Sequence, residues 1–208
     1  MLIYKMKHKQ GGFTLVELMF TVIVLAVLLG IGLPNFRDFL RNSRMTAAAN
    51  DLLTDYNYAR SEAVKRRLPV TICKSTDGAA CATAVTGSFS RWIVFLDRNG
   101  DGLVTAGTAG TPPTPGDLIL KDRGIAEGIT GHSDGYKTVF RPSGFPNTAV
   151  TGNATRVLFC DARKSAMTVG DNSSARGLSI TATGRAGITR DKAIIEATAG
   201  EAGFGGCP

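Results

Sequence analysis

Hydrophobic positions divide this chain into three stretches. From Phe13 to Leu33, 21 residues run almost without a polar side chain; Thr14, Glu17 and Thr21 are the exceptions, and Gly30 and Gly32 interrupt weakly. As a helix rising about 1.5 Å per residue, this run spans roughly 31 Å, the thickness of a bilayer's hydrocarbon core. Lys5, Lys7 and Lys9 precede it. Positive flanks stay cytoplasmic, so the part that follows is expected outside the inner membrane. Pro34 should weaken or kink the helix. A second helical stretch then shows Leu52, Tyr56, Ala59 and Ala63 on one face, with Arg60, Glu62 and Lys65 on the other, until Leu68-Pro69 ends it. Beyond Val70 the pattern shortens to strands between Gly, Pro, Asn and Asp. The expected strands are Val70–Cys73, Arg91–Leu96, Leu118–Lys121, Thr138–Arg141, Arg156–Cys160 and Gly177–Thr181, with a Gly/Thr/Pro-rich loop over Asn99–Gly116.

Two positions refine the membrane reading. A secretory signal would be cut after its apolar region at small residues, and Pro34-Asn35-Phe36-Arg37 fits that poorly. Glu17 sits inside the run, where an acid costs up to roughly 2.5–3.5 kcal/mol, less near the interface. Buried carboxylates need a partner. A cut after Gly12 would create an amine on Phe13, one helical turn from Glu17 of the same chain or a neighbour.

Gly12-Phe13-Thr14-Leu15-Val16-Glu17 resembles the prepilin peptidase site of type IV pilins and type II secretion pseudopilins. That resemblance implies cleavage after Gly12, methylation of the new N-terminal Phe13, and a role for Glu17 in aligning the subunit during assembly. Ala59–Arg67, Val70–Cys73 and Trp92–Asp97 look like the GspH/FimT branch of minor pilins and pseudopilins. The implied fold is α+β: one long, gently bent helix whose second half packs on a mainly antiparallel sheet. The expected parts are a leader at 1–12, a transmembrane and assembly helix at 13–35, an amphipathic helix at 36–68, and an extracytoplasmic β-rich domain at 69–208. The implied function is a minor pilin that primes a type IV pilus or lies near its tip. A DNA-binding minor pilin of natural transformation and a minor pseudopilin of type II secretion are the alternatives. Prepilin peptidase, other pilins, the inner membrane and, in one alternative, DNA are the expected partners; inner membrane and pilus are the expected locations.

Composition adds limits. The 208 residues carry a formal charge of +7. Removing residues 1–12 takes away three lysines and leaves +4, which permits an anionic partner without requiring one. Cysteines stand at 73, 81, 160 and 207. Outside the cytoplasm they should form two disulfides. Cys73 and Cys81 flank a turn-rich segment, which leaves Cys160 for Cys207. The second bond closes a long loop, worth roughly 4 kcal/mol in the chain-entropy account. A zinc site is not expected, because no C-x2-C pair exists and His132 is the one histidine beyond the leader.

Asp97-Arg98-Asn99-Gly100-Asp101-Gly102 starts like a calcium loop, but Thr108 stands where the glutamate belongs, so a plain turn is expected. Arg176, Arg185, Arg190 and Lys192 form a basic stretch near the C-terminus, read either as a solvated face or as a grip for DNA phosphates through Arg185, Arg190 and Lys192. Resemblance to DNA-uptake pilins implies Gly-Arg-x-Arg here; Gly184-Arg185-Ala186-Gly187 lacks the second arginine. Arg185 and Arg190 face opposite ways on a regular strand unless a bulge at Gly187 intervenes. No catalytic constellation or cofactor motif is visible, so the chain is not expected to be an enzyme.

Overall fold

The fold comes from a computed structural model that describes residues 12–84, 87–107, 116–163, 167–200, 204 and 207. Helix α1 (Leu15–Arg66) is 52 residues long and runs through Pro34. The expected weakening there does not end the helix. Proline removes one backbone donor, but helix propagation on both sides is cooperative. Asn35 also donates from Nδ2 to the Ile31 carbonyl at 3.0 Å. At the C-terminal end Arg67 turns left-handed with φ 55°. Pro69 then excludes helix at Leu68.

The chain forms two compact units divided between Arg41 and Asn42. In the first, every side chain described from Gly12 through Arg41 is exposed. The most apolar window of this helix has a mean hydropathy of 2.6 and none of it is buried.

Among the described residues, the second unit holds the rest of α1, ten strands and a short helix α2 (Lys192–Ala199). One sheet has the order β4-β3-β1-β6. Its strands are β1 (Val70–Lys74), β3 (Arg91–Leu96), β4 (Leu118–Gly124) and β6 (Lys137–Phe140). The other has the order β10-β9-β7-β5-β2, with β8 (Met167–Val169) paired to β9. Its strands are β2 (Ser88–Phe89), β5 (Ile129–Ser133), β7 (Arg156–Asp161), β9 (Asn172–Ile180) and β10 (Ala186–Asp191). Every pairing between these strands is antiparallel.

The core follows from two periodicities. Met45, Ala48, Ala49, Leu52, Tyr56, Ala59 and Ala63 fall on one stripe of α1 and are buried. Alternate strand residues meet that stripe: Ile72, Trp92, Val94 and Phe140 from the first sheet, and Val157, Phe159, Leu178 and Ile180 from the second. Burying each large side chain contributes about 1.5–3 kcal/mol. The other strand faces carry smaller clusters. Cys73, Ile93 and Phe95 lie behind the first sheet. Leu158, Cys160 and Ala175 lie behind the second, covered by Ile195 of α2 and by Phe204.

All six expected strands are present, with ends moved by up to five residues. The expected single sheet is instead two, and β2, β5, β8, β10 and α2 were not expected. Glu62, placed on the outer helix face by its charge, is 6% exposed. It accepts a hydrogen bond from Arg66 Nε and pairs with Lys65 at 3.6 Å. These bonds to the charged form, Arg66 foremost, hold its carboxyl below the usual range. Residues 108–115 of the expected loop lie outside the described residues.

Candidate functional site

The N-terminal segment is built by its first helical turn. Residues 12–14 precede α1 and are exposed. The Glu17 amide donates to Thr14 Oγ1 at 3.2 Å, and the Leu18 amide to the Thr14 carbonyl at 3.1 Å. Thr14 is therefore the N-cap, and Glu17 is the third helical residue of a T-x-x-E sequence. A carboxylate in this turn is favoured by the helix dipole. Thr14 was missed in the sequence as a positioning residue, although its three-residue spacing from Glu17 is the capping signal. Phe13 is 79% exposed and sits two residues before the helix. A chain starting at Phe13 would place its amine just outside this first turn.

In the second unit, α1 is fixed to the sheets by buried charge. Asp55 is fully buried. It accepts hydrogen bonds from Trp92 Nε1 at 2.9 Å, Lys121 Nζ at 2.8 Å and Arg123 Nε at 2.9 Å. Arg176 pins the second sheet. Its Nη1 donates to the carbonyls of Ser173, Ser174 and Ala175, and its Nη2 to Thr46 Oγ1 at 3.3 Å. Burial, with help from the Arg190 and Arg163 charges, pushes this guanidinium down to about 10. Arg176 is 2% exposed, so it is no part of a solvated basic face.

The other tail cations do not share one face either. Arg185 is exposed in the turn between β9 and β10, where its amide donates to Thr181 Oγ1 at 3.1 Å. Arg190 is exposed near the far end of β10, about 17 Å away at 3.3–3.4 Å per strand residue. The register shift in β10 falls between Thr189 and Asp191, not at Gly187. Lys192 opens α2 and pairs with Glu196 at 3.6 Å. Asp191 caps that helix, accepting from the Ile194 amide at 3.1 Å.

Cys73 bonds Cys81 and Cys160 bonds Cys207, each with Cα atoms 5.6 Å apart. The second bond and the fully buried Phe204 hold the tail on the second sheet. His132 Nδ1 lies 3.1 Å from the Phe204 carbonyl. Burial pushes this imidazole down. Asp97 is buried and accepts from Thr71 Oγ1 at 2.8 Å and from the amides of Gly100 at 2.7 Å and Gly102 at 2.8 Å. Those bonds make it the anchor of a turn, and the Lys137 ammonium donates to the Asp101 carbonyl at 2.6 Å.

The described residues thus comprise a capped helix start, an exposed apolar helix and a helix-backed β domain. The GspH family, described as "Type II transport protein GspH", matches residues 48–184. The chain belongs to the GspH family. The prokaryotic N-terminal methylation motif matches residues 7–33. Fimbrial protein EcpC of Eikenella corrodens is 28% identical over 127 residues, 61% of this chain and 72% of that protein. The type IV major alpha-pilin of Moraxella bovis is 24% identical over 155 residues, 66% of this chain and 97% of that one. The crystal structure of the type IV minor pilin FimU of Pseudomonas aeruginosa aligns with a TM-score of 0.45 and 21% identity, over 73% of this chain and 92% of FimU. This is a pilin or pseudopilin with an N-terminal methylation motif and an exposed apolar helix.

Proposed function

We propose that this GspH-family chain is a minor pilin of a type IV pilus, acting in priming of assembly or near the tip. The observation that carries this reading is the junction of Gly12-Phe13 to a capped helix start at Thr14–Glu17, followed by an apolar helix exposed along its whole first unit. Prepilin peptidase would cut between Gly12 and Phe13 and leave a methylated amine on Phe13. Residues 13–35 would hold the chain in the inner membrane and later pack among other pilins, with the domain on the periplasmic side. Glu17 would pair with the amine of Phe13 on its own chain or a neighbour. The disulfides suit an oxidising compartment.

A second reading is a minor pseudopilin of type II secretion, supported by the description of the GspH family as a type II transport protein. Deletion of the gene separates the two. A minor pilin predicts loss of surface pili, with secreted enzymes unchanged and the protein itself recovered in sheared pili. Normal piliation with lost secretion would favour the pseudopilin. DNA binding by the tail has less support, because Arg185 and Arg190 stand at opposite ends of β10 and Lys192 has an acidic partner.

A further inference from the structure

Three segments that lie far apart in sequence meet at one end of the second unit: 60–67 of α1, the turn 141–145 after β6, and the turn 181–185 before β10. Two glycines bring them together. Gly144 and Gly184 have φ of +80° and +76°. A methyl group on Gly144 would lie 3.0 Å from Val64 Cγ2 and 3.4 Å from Arg60 Nε, and one on Gly184 would lie 2.8 Å from the Gly144 carbonyl oxygen. The backbone of each turn therefore packs closely on the next. The Val70–Phe140 pairing brings Arg141 alongside Pro69, just past the end of the helix.

These segments carry six cations, Arg60, Lys65, Arg66, Arg67, Arg141 and Arg185, against one acid, Glu62. Their excess of five exceeds the +4 left on the whole chain once residues 1–12 are removed. Helix-end chemistry accounts for part of it. Lys65 and Arg66 pair with Glu62, and cations near a helix C-terminus are favoured. Arg141 and Arg185 belong to other segments, beyond the reach of helix-end chemistry; Arg141 Nη2 donates to Asn147 Oδ1. Arg67 adds an uncommon left-handed conformation for a side chain other than glycine. Within this cationic surround, Val64 is 50% exposed and Phe145 is 47% exposed. An apolar centre with an arginine-rich rim is the composition of a protein interface.

We propose that this end of the domain is a docking surface for an acidic segment of another pilin subunit in the same filament, with Phe145 and Val64 at its centre and Arg60, Arg141 and Arg185 on its rim. The partner's chemistry follows from charge: carboxylates to meet the guanidinium groups, and an apolar side chain to cover Phe145. A nucleic acid would want cations at the centre rather than an aliphatic side chain. The proposal rests on the reading of the chain as a filament subunit.

The test uses the full chain, expressed in piliated cells with a photo-crosslinking phenylalanine analogue in place of Phe145. Irradiation should join it to another pilin at a peptide containing Asp or Glu. A double variant, Arg60→Glu with Arg141→Glu, should lower the protein's share in sheared filaments at least tenfold. Exchanging the mapped acid on the partner for Lys should restore it. Crosslinks to DNA or lipid alone, or no crosslink from protein that is present in filaments, would overturn the proposal. If the double variant misfolds, the crosslink from the otherwise unaltered chain still decides. Absence of the unaltered protein from filaments would instead defeat the filament-subunit reading itself.

Discussion

The carboxylate of Asp55, in the C-terminal quarter of α1, accepts a hydrogen bond from the indole Nε1 of Trp92 on β3 at 2.9 Å. Lys121 and Arg123 reach the same carboxylate from β4, and Asp55 itself is inaccessible to solvent. A buried acid with three donors ties the helix to the first sheet at a fixed rotation. Replacing it leaves a buried indole donor unmet and Lys121 without this carboxylate, while Arg123 keeps only its ion pair with Asp51 at 3.1 Å. Asp55→Ala should destabilise the domain by about 3 kcal/mol. Trp92 is the one tryptophan in the chain, so its fluorescence during chemical denaturation of the detergent-solubilised protein reads the loss. An unchanged midpoint would remove Asp55 from the account of helix docking.

The two disulfides should contribute unequally. In the chain-entropy account the 47-residue separation of Cys160 and Cys207 is worth about 4 kcal/mol, and the 8-residue separation of Cys73 and Cys81 about 2.5 kcal/mol. Cys207→Ser should therefore lower the melting temperature more than Cys81→Ser. Peptide mapping of the unreduced protein checks the pairing, and a Cys81–Cys160 peptide would contradict it.

Sequence pattern revealed some of this and hid the rest for physical reasons. Helix α1 and β3 were legible because long apolar periodicity and a run such as Arg91–Leu96 leave little choice. Strand β5 was not, since Ile129–Ser133 contains one large apolar residue and is buried by its neighbours β2 and β7. Helix α2 was signalled by Asp191 as N-cap and by the helix formers after it, but its position within a basic stretch drew attention to charge. Arg176 was read as surface because charged residues are rarely buried. Only the fold shows three carbonyls and Thr46 around it. Gly12, Phe13 and Glu17 stand out in the sequence by their spacing, while the approach of the turns 141–145 and 181–185 to residues 60–67 depends on tertiary contacts between distant segments.

Acid should weaken the attachment of the tail. Burial holds His132 below its ordinary value near 6.5, and the Lys74 charge adds to this against the opposing bond to Phe204. The unfolded chain therefore binds the proton more readily, and its contribution to stability is complete above about pH 6.5 and falls as pH drops from there toward the folded value. Stability measured from pH 7.5 down to pH 5 should fall more steeply for the unaltered protein than for His132→Gln. Parallel profiles would show that this histidine does not couple to folding.

Glu17 should act in assembly rather than in the fold of the domain, because it is exposed in the first unit and belongs to none of the buried clusters among the described residues. Glu17→Ala should leave the denaturation midpoint of the second unit within about 0.5 kcal/mol of the unaltered value, as for surface positions. The same variant should be depleted from sheared pili while accumulating in the membrane fraction. Normal recovery in pili would contradict the role given to its carboxylate.

Mass spectrometry of the N-terminal peptide, taken from the protein recovered in sheared pili, tests the account most directly. The expected result is a chain that begins at Phe13 with a methylated amine and retains Glu17. A chain that keeps residues 1–12, or one that begins beyond Leu33, would contradict it.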